Sequence, residues 1–196
     1  MPPHRKLVKH FHEPGHLHAF TFSCYQRRPL LTNDRWRRYL AESIDAACDQ
    51  FNFQLTAFVF MPEHVHLLTL PLDAEPMIDR FLASIKRPVA VSVKCDLATS
   101  ASRLLSELTF NERPGKTAFR YWQEGPGYDR NLFTGKTILQ TIDYIHANPV
   151  RRGLCQRPIE WPWSSARWFA SDGTQVDSRH PKLTPLPAEF AHQAAL

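Results

Sequence analysis

FQLTAFVFMPEHVHLLTL, residues 53 to 70, holds two apolar runs, Phe53 to Met61 and Val65 to Leu70, on either side of Pro62-Glu63. Runs rich in Phe, Val, Leu and Thr with a short Pro-containing break between them predict adjacent strands joined by a tight turn. His64 and His66 open the second strand. Side chains two apart on a strand share a face, so the two imidazoles project together, as two ligands of one metal must. The spacing permits a metal site without establishing one, because an H-x-H pair on a sheet also serves as plain polar surface.

Working outward, His18 to Tyr25 (HAFTFSCY) is aromatic and β-favouring and closes at Arg27-Arg28-Pro29, which predicts a first strand. Asn33 or Asp34 caps a following helix whose apolar stripe is Trp36, Leu40, Ile44, Ala47 and Phe51. Beyond the central pair, Glu75 to Lys86 has helical period, and Pro88 is expected to break or kink it before a further helical stretch to about Leu97. Residues 98 to 113 carry no deciding pattern. Ala118 to Gln123 (AFRYWQ) predicts a fourth strand, ended by Gly125-Pro126-Gly127, and Thr134 to Ala147 a last helix stopped by Pro149. The order implies an α+β fold, a ferredoxin-like (RRM-like) sandwich with an antiparallel central sheet and an extra helix after the fourth strand.

After Leu154 periodicity disappears, and Pro158, Pro162, Pro181, Pro185 and Pro187 punctuate an irregular tail. The expected division is a flexible basic arm over residues 1–17, a domain over 18–155 and a Pro/Trp-rich tail, 156–196, packing on that domain. His4, His10, His12, His16 and His18 crowd the N-terminal end at irregular spacing, which suits a basic arm better than a metal site. Trp161, Trp163 and Trp168 either plug the core or stack on bases, packing being the favoured reading.

At 196 residues the chain suits one domain with a full core, and 43% hydrophobic against 22% charged residues excludes a disordered protein. Net charge is +5 and pI about 9.2, with cations paired at Arg27-Arg28, Lys86-Arg87 and Arg151-Arg152, the distribution a polyanion-binding surface requires. The four cysteines, Cys24, Cys48, Cys95 and Cys155, form no C-x-x-C pair, which argues against a zinc ribbon or a small disulfide framework. No apolar run approaches a membrane span and the first residues show no signal-peptide core, so a cytoplasmic protein, associated with the nucleoid when on DNA, is expected.

The second informative stretch is TILQTIDYIHANPVRRGL, Thr137 to Leu154. Ile138, Ile142 and Ile145 define its buried stripe, and at about 100° per residue Tyr144 and Asn148 leave that stripe on the same side. The two are four apart and therefore neighbours on one helix face. Read alone, Tyr144 is a half-buried packing residue and Asn148 a helix cap.

FMPEHVHLL, YWQEGPGYDRNL at Tyr121 to Leu132, YIHANPVRRGL at Tyr144 to Leu154 and EWPWSSARW at Glu160 to Trp168 resemble, in order, the signatures of the REP-associated tyrosine transposases. These belong to the single-tyrosine branch of the HUH endonuclease and transposase superfamily, and the resemblance covers about residues 16 to 170. It implies that His64 and His66 of the His-Val-His motif ligate a divalent ion. It further implies that Tyr144 is the nucleophile, on the extra helix, and that Asn148 completes the metal site. Family members often have Asn where this chain has Glu63, beside the metal.

The resemblance implies a metal-dependent single-stranded DNA endonuclease and strand transferase. Tyr144 keeps the 5′ phosphate and a 3′-OH leaves, on hairpins of repetitive extragenic palindromes. A free tyrosine, with a pKa near 10, needs help withdrawing charge from the phosphate it attacks. Two imidazoles and an amide oxygen leave an octahedral ion open positions for a phosphate oxygen and water. The expected ion is Mg²⁺ or Mn²⁺. No nucleotide cofactor is expected, since one ester replaces another and no Walker-type loop is present.

Arg27, Arg28, Lys86, Arg87, Arg151 and Arg152 are the candidate phosphate contacts. Tyr128, placed in a loop beside Gly127 with no polar partner one turn away, ranks below Tyr144 as a nucleophile. The alternative is a catalytically inactive module of the same fold that binds hairpin DNA or RNA. A water-using metal hydrolase is less consistent, because no H-x-H-x-D pattern follows His66. Single-stranded or hairpin DNA is the expected partner, with no membrane association, and the protein as a monomer or a homodimer.

Overall fold

A computed structural model describes residues 12–125, 127–188 and 190. The chain order is β1 (Leu17–Ser23), α1 (Asp34–Phe51), β2 (Phe53–Phe60), β3 (His64–Pro71), α2 (Ile78–Thr99), α3 (Arg103–Glu107), β4 (Thr109–Arg113), β5 (Lys116–Phe119), β6 (Tyr128–Leu132), α4 (Gly135–Arg151) and α5 (Ala166–Ala170). The main sheet is antiparallel in the order β2-β3-β1-β6, the ferredoxin-like arrangement, and β4-β5 is a separate hairpin.

Strand alternation divides the sheet into two differently packed faces. Phe20, Phe22, Val65 and Leu67 face α1 and α2, meeting Trp36, Leu40, Ile44, Phe81, Ile85 and Val89. Leu17, Leu68 and Leu70 face the other way, toward Ile138, Ile142 and Ile145 of α4. On β2 a bulge between Leu55 and Ala57 shifts the parity, so Leu55 and Phe58 share the α1/α2 core while Ala57 and Val59 face α4.

Local chemistry sets the helix ends. The Asn33 side chain accepts from Arg35 N at the start of α1, and Asn52, with φ 56°, closes it in the left-handed region that Asn tolerates. The Thr134 hydroxyl caps α4 by accepting from Thr137 N. Pro149 does not stop its helix as the sequence predicts, since α4 carries it in its last turn and continues to Arg151; Pro88 lies inside α2, whose helical stretch beyond it runs to Thr99 without a break. Each proline removes one donor, but Ile85, Val89 and Val93 on α2 keep both halves on the core, and Arg152 N still bonds Asn148 O.

The fourth strand of the main sheet is β6, not Ala118–Gln123. The apolar signal of AFRYWQ has another cause: Lys116–Phe119 pairs with β4, while Tyr121 packs on Trp36 and Trp122 on Phe22, plugging the core beyond the end of β1. Tyr128 therefore lies on an edge strand, paired with Thr21, and not in a loop. Gly127 sets that approach, with φ +94° and a position where a Cβ would stand 2.2 Å from Thr21 O.

The arm assigned to residues 1–17, with His4 and His10, falls largely outside the described residues. From His12 onward the chain is tied down: His12 Nδ1 is 3.1 Å from His18 Nε2, His16 stacks on Phe133, and buried His18 reaches Asp129 across β1 and β6. After α4 the chain returns along the outer edge of β2. Phe60 N donates to Trp163 O, Ser165 N to Phe58 O and Thr184 N to Leu55 O, while buried Trp163 donates its indole N–H to Asp34. Among the described residues no helix is long and apolar enough to cross a membrane.

Candidate active site

His64 and His66 stand on the β3 face covered by α4, both buried, with their Nε2 atoms 3.0 Å apart. The far nitrogen of each ring is engaged. His64 Nδ1 lies 3.0 Å from Glu63 Oε1 and His66 Nδ1 lies 2.8 Å from Thr21 Oγ1 on β1. A carboxylate only accepts, so neutral His64 carries its proton on Nδ1 and turns a lone pair inward from Nε2. Burial, the largest influence, holds His64 below its ordinary pKa, and burial with the neighbouring His64 pulls His66 down to about 3. Both rings are therefore neutral at pH 7, the form that ligates metal.

The donor set fits a divalent ion. Two ligands at cis positions on an octahedral ion with bonds of about 2.1 Å stand about 3.0 Å apart, which matches the separation of the two Nε2 atoms. Among the described residues no third His, Cys, Asp or Glu joins them. Buried Asn148 does approach, its Nδ2 lying 3.3 Å from His66 Nε2 and donating to Tyr144 O one turn earlier. The amide nitrogen, not the oxygen, thus faces the histidine. Glu63 sits behind His64 and accepts from Arg152 at 2.9 Å, linking β3 to the end of α4.

Tyr144 projects from α4 beside this group, 45% exposed, its ring edge-on to His66 at 5.6 Å between centroids and under the Arg151 guanidinium at 5.3 Å. The phenol reaches the wall of a cleft of about 590 Å³ between the sheet and α4. Its lining includes both histidines, Asn148, Arg27, Arg152, Arg130 and Tyr128. Arg27 enters the cleft from two consecutive left-handed residues, Gln26 and Arg27, at φ 53° and 54°. Such backbone is strained for residues with a Cβ and recurs at functional sites.

The six expected cations separate. Arg27 and Arg152 line the cleft and Arg151 covers Tyr144. Arg28 instead pairs with Glu107. Lys86 and Arg87 belong to α2, on the opposite face of the sheet, and Lys86 lies over the Phe22 ring and donates to Gly125 O. Burial brings Lys86 down to about 8, and neither residue of the α2 pair lines this cleft. Thr21, Arg130 and the position of Tyr128 escape sequence reading, because each depends on the register of β1 with β3 and β6.

His146, two positions from Tyr144, faces inward: its Nε2 is 2.8 Å from Ser165 Oγ and its ring packs on Phe169. Burial lowers it to about 4. The unfolded chain, near 6.5, therefore takes up the proton first, and this contribution to stability, intact above pH 6.5, is lost as pH falls toward 4. In metal-free chemical denaturation, wild type is expected to lose about 2 kcal/mol more than His146→Gln between pH 7 and pH 5.

Residues 14–148 match the family described as transposase IS200-like. A Haemophilus influenzae protein named REP-associated tyrosine transposase is 24% identical over 147 residues, which cover 69% of this chain and 76% of that one. A solved structure of a REP-associated tyrosine transposase bound to a REP hairpin superposes with a TM-score of 0.65 at 18% identity. That match spans 94% of this chain and 97% of the other.

Proposed function

The chain belongs to the IS200-like transposase family, and from that premise we propose that it is a metal-dependent endonuclease and strand transferase that cuts single-stranded DNA through a phosphotyrosine at Tyr144. The observation that carries this reading is the Tyr144 ring set against His66, whose Nε2 meets that of His64 in one cleft. The proposed substrate is a REP-type hairpin with single-stranded flanks, in keeping with the hairpin bound by the structural relative.

In the proposed reaction Tyr144 Oη bonds to the phosphorus and keeps the 5′ phosphate. The bond to O3′ breaks, and the proton lost by the phenol is matched by one gained at the leaving 3′-OH. Arg27 and Arg152 hold the DNA backbone as point charges along the cleft. Arg151, over the Tyr144 ring, places a further positive charge beside the phosphate that Tyr144 attacks. His64 and His66, with Asn148 once its amide turns Oδ1 inward, would hold Mg²⁺ or Mn²⁺. When bound, the ion supplies Lewis-acid polarisation of the scissile phosphate. No ATP is needed, because the phosphodiester energy is kept in the phosphotyrosine.

Tyr144 meets a histidine of its own chain, which supports a site complete in one subunit. The proposed catalytic unit is residues 18–155, with 156–196 as a supporting tail. The testing experiment incubates the protein and Mn²⁺ with labelled REP-type hairpins carrying single-stranded flanks, and looks for an adduct that survives denaturing electrophoresis. Binding without any adduct, on every hairpin, would leave a hairpin-binding module in its place.

Glu63 orients His64 from behind, as carboxylates commonly orient metal-bound histidines. Glu63→Ala is expected to weaken Mn²⁺ binding roughly 10- to 100-fold, measured by calorimetry. Glu63→Gln, whose amide oxygen still accepts from Nδ1, should lose less. Equal affinity in all three proteins would remove Glu63 from the site.

A further inference from the structure

On its α4 side the sheet presents a row across three strands. In register, Tyr128 of β6 stands beside Thr21 of β1, and Thr21 beside His66 of β3. Thr21 also holds the His66 ring. Tyr128 is thus two strands from the histidine pair, about 10 Å at ordinary strand spacing. The next row on the same face carries Arg130 beside Ala19, whose small side chain leaves the floor between them low.

The Tyr128 ring is 61% exposed and, among the described residues, neither packs on another ring nor makes a hydrogen bond. Two arginines line the same cleft, Arg130 from the same strand and Arg27 from the strained turn after β1, and neither is ion-paired among the described residues. The backbone that carries the tyrosine is fixed: Gly127 lies so close to Thr21 O that only glycine fits. A rigidly mounted, unpartnered aromatic face with cations in the same cleft has the makings of a nucleobase platform, since every base offers a π-face and every linkage an anion.

We propose that Tyr128 is a stacking platform for one unpaired nucleobase of the DNA strand that enters the cleft, with Arg27 and Arg130 holding the phosphates beside that base. The separation of about 10 Å from His66 corresponds to two or three nucleotides at a stacked rise of about 3.4 Å. The platform thus selects a base close to the phosphate presented to Tyr144. It rests on the DNA-cutting function for its substrate, but it predicts a binding property that does not depend on cleavage.

The test uses the full chain and hairpins in which each unpaired flanking base is replaced in turn by 2-aminopurine. Affinity is read by anisotropy and stacking by fluorescence quenching. Wild type and Tyr128→Phe are expected to quench one position strongly. Tyr128→Ala and Tyr128→Leu should lose that quench and bind flanked hairpins about tenfold or more weakly, with unchanged affinity for a blunt hairpin and an unchanged melting temperature.

Quenching that persists in Tyr128→Ala, or an equal loss on blunt hairpins, overturns the platform. Adduct formation through Tyr144 is scored separately on wild type. A Tyr128-dependent quench without an adduct would keep the platform and remove the catalysis; an adduct without the quench would do the reverse.

Discussion

Tyr144→Phe is expected to abolish the covalent protein–DNA adduct, with strand cleavage reduced on the order of 10⁴-fold or more, the scale seen when an enzyme loses its nucleophile. The substitution removes Oη alone. The ring is retained, so its edge contact with His66 and its place under Arg151 survive. Because the side chain is 45% exposed, no buried partner is stranded by the missing hydroxyl. Melting temperature and hairpin affinity should therefore stay at wild-type values. Residual cleavage near the wild-type rate would point to water as nucleophile, and a persisting adduct would point to Tyr128, the other tyrosine in the cleft.

His66→Ala carries the second large effect: loss of measurable Mn²⁺ binding and a fall in cleavage on the order of 10³-fold, since Lewis-acid stabilisation contributes several kcal/mol. His66 is placed for both roles. Its Nε2 faces His64 Nε2 and the Asn148 amide, and its ring supports Tyr144. The substitution also removes the hydrogen-bond partner of part-buried Thr21 Oγ1, at a cost of about 1 kcal/mol. Calorimetry with Mn²⁺ and a melt on the same sample separate the two effects. Retained Mn²⁺ affinity in a folded His66→Ala protein would sink the metal assignment.

What could be read from the sequence was what depends on local period. The alternation that turns His64 and His66 to one face, the stripe Trp36-Leu40-Ile44 of α1 and the i, i+4 pair Tyr144 and Asn148 are all short-range patterns, and the structure keeps each of them. Edge strand β6 was illegible because it buries little: Tyr128 and Arg130 look into the cleft, so YDRNL lacks the apolar signature that AFRYWQ showed for a different reason. The place of Lys86, over Phe22 and outside the cleft, was equally illegible, because it is a tertiary fact. Glu63, beside the histidines in sequence, turned out to face the outer nitrogen of His64, which only the fold of the β2–β3 turn and the reach of Arg152 reveal.

The chain that returns along β2 has a consequence for solubility. An uncovered outer strand displays a ladder of idle amides and carbonyls that a neighbouring molecule can extend into a growing cross-β stack. Here Trp163, Ser165 and Thr184 occupy that ladder at Leu55, Phe58 and Phe60, and the Trp161 indole takes the Phe60 carbonyl. That margin of the sheet is therefore closed to polymerisation from within the molecule, while the opposite margin, β6, keeps the side chains of Tyr128 and Arg130 exposed in the cleft.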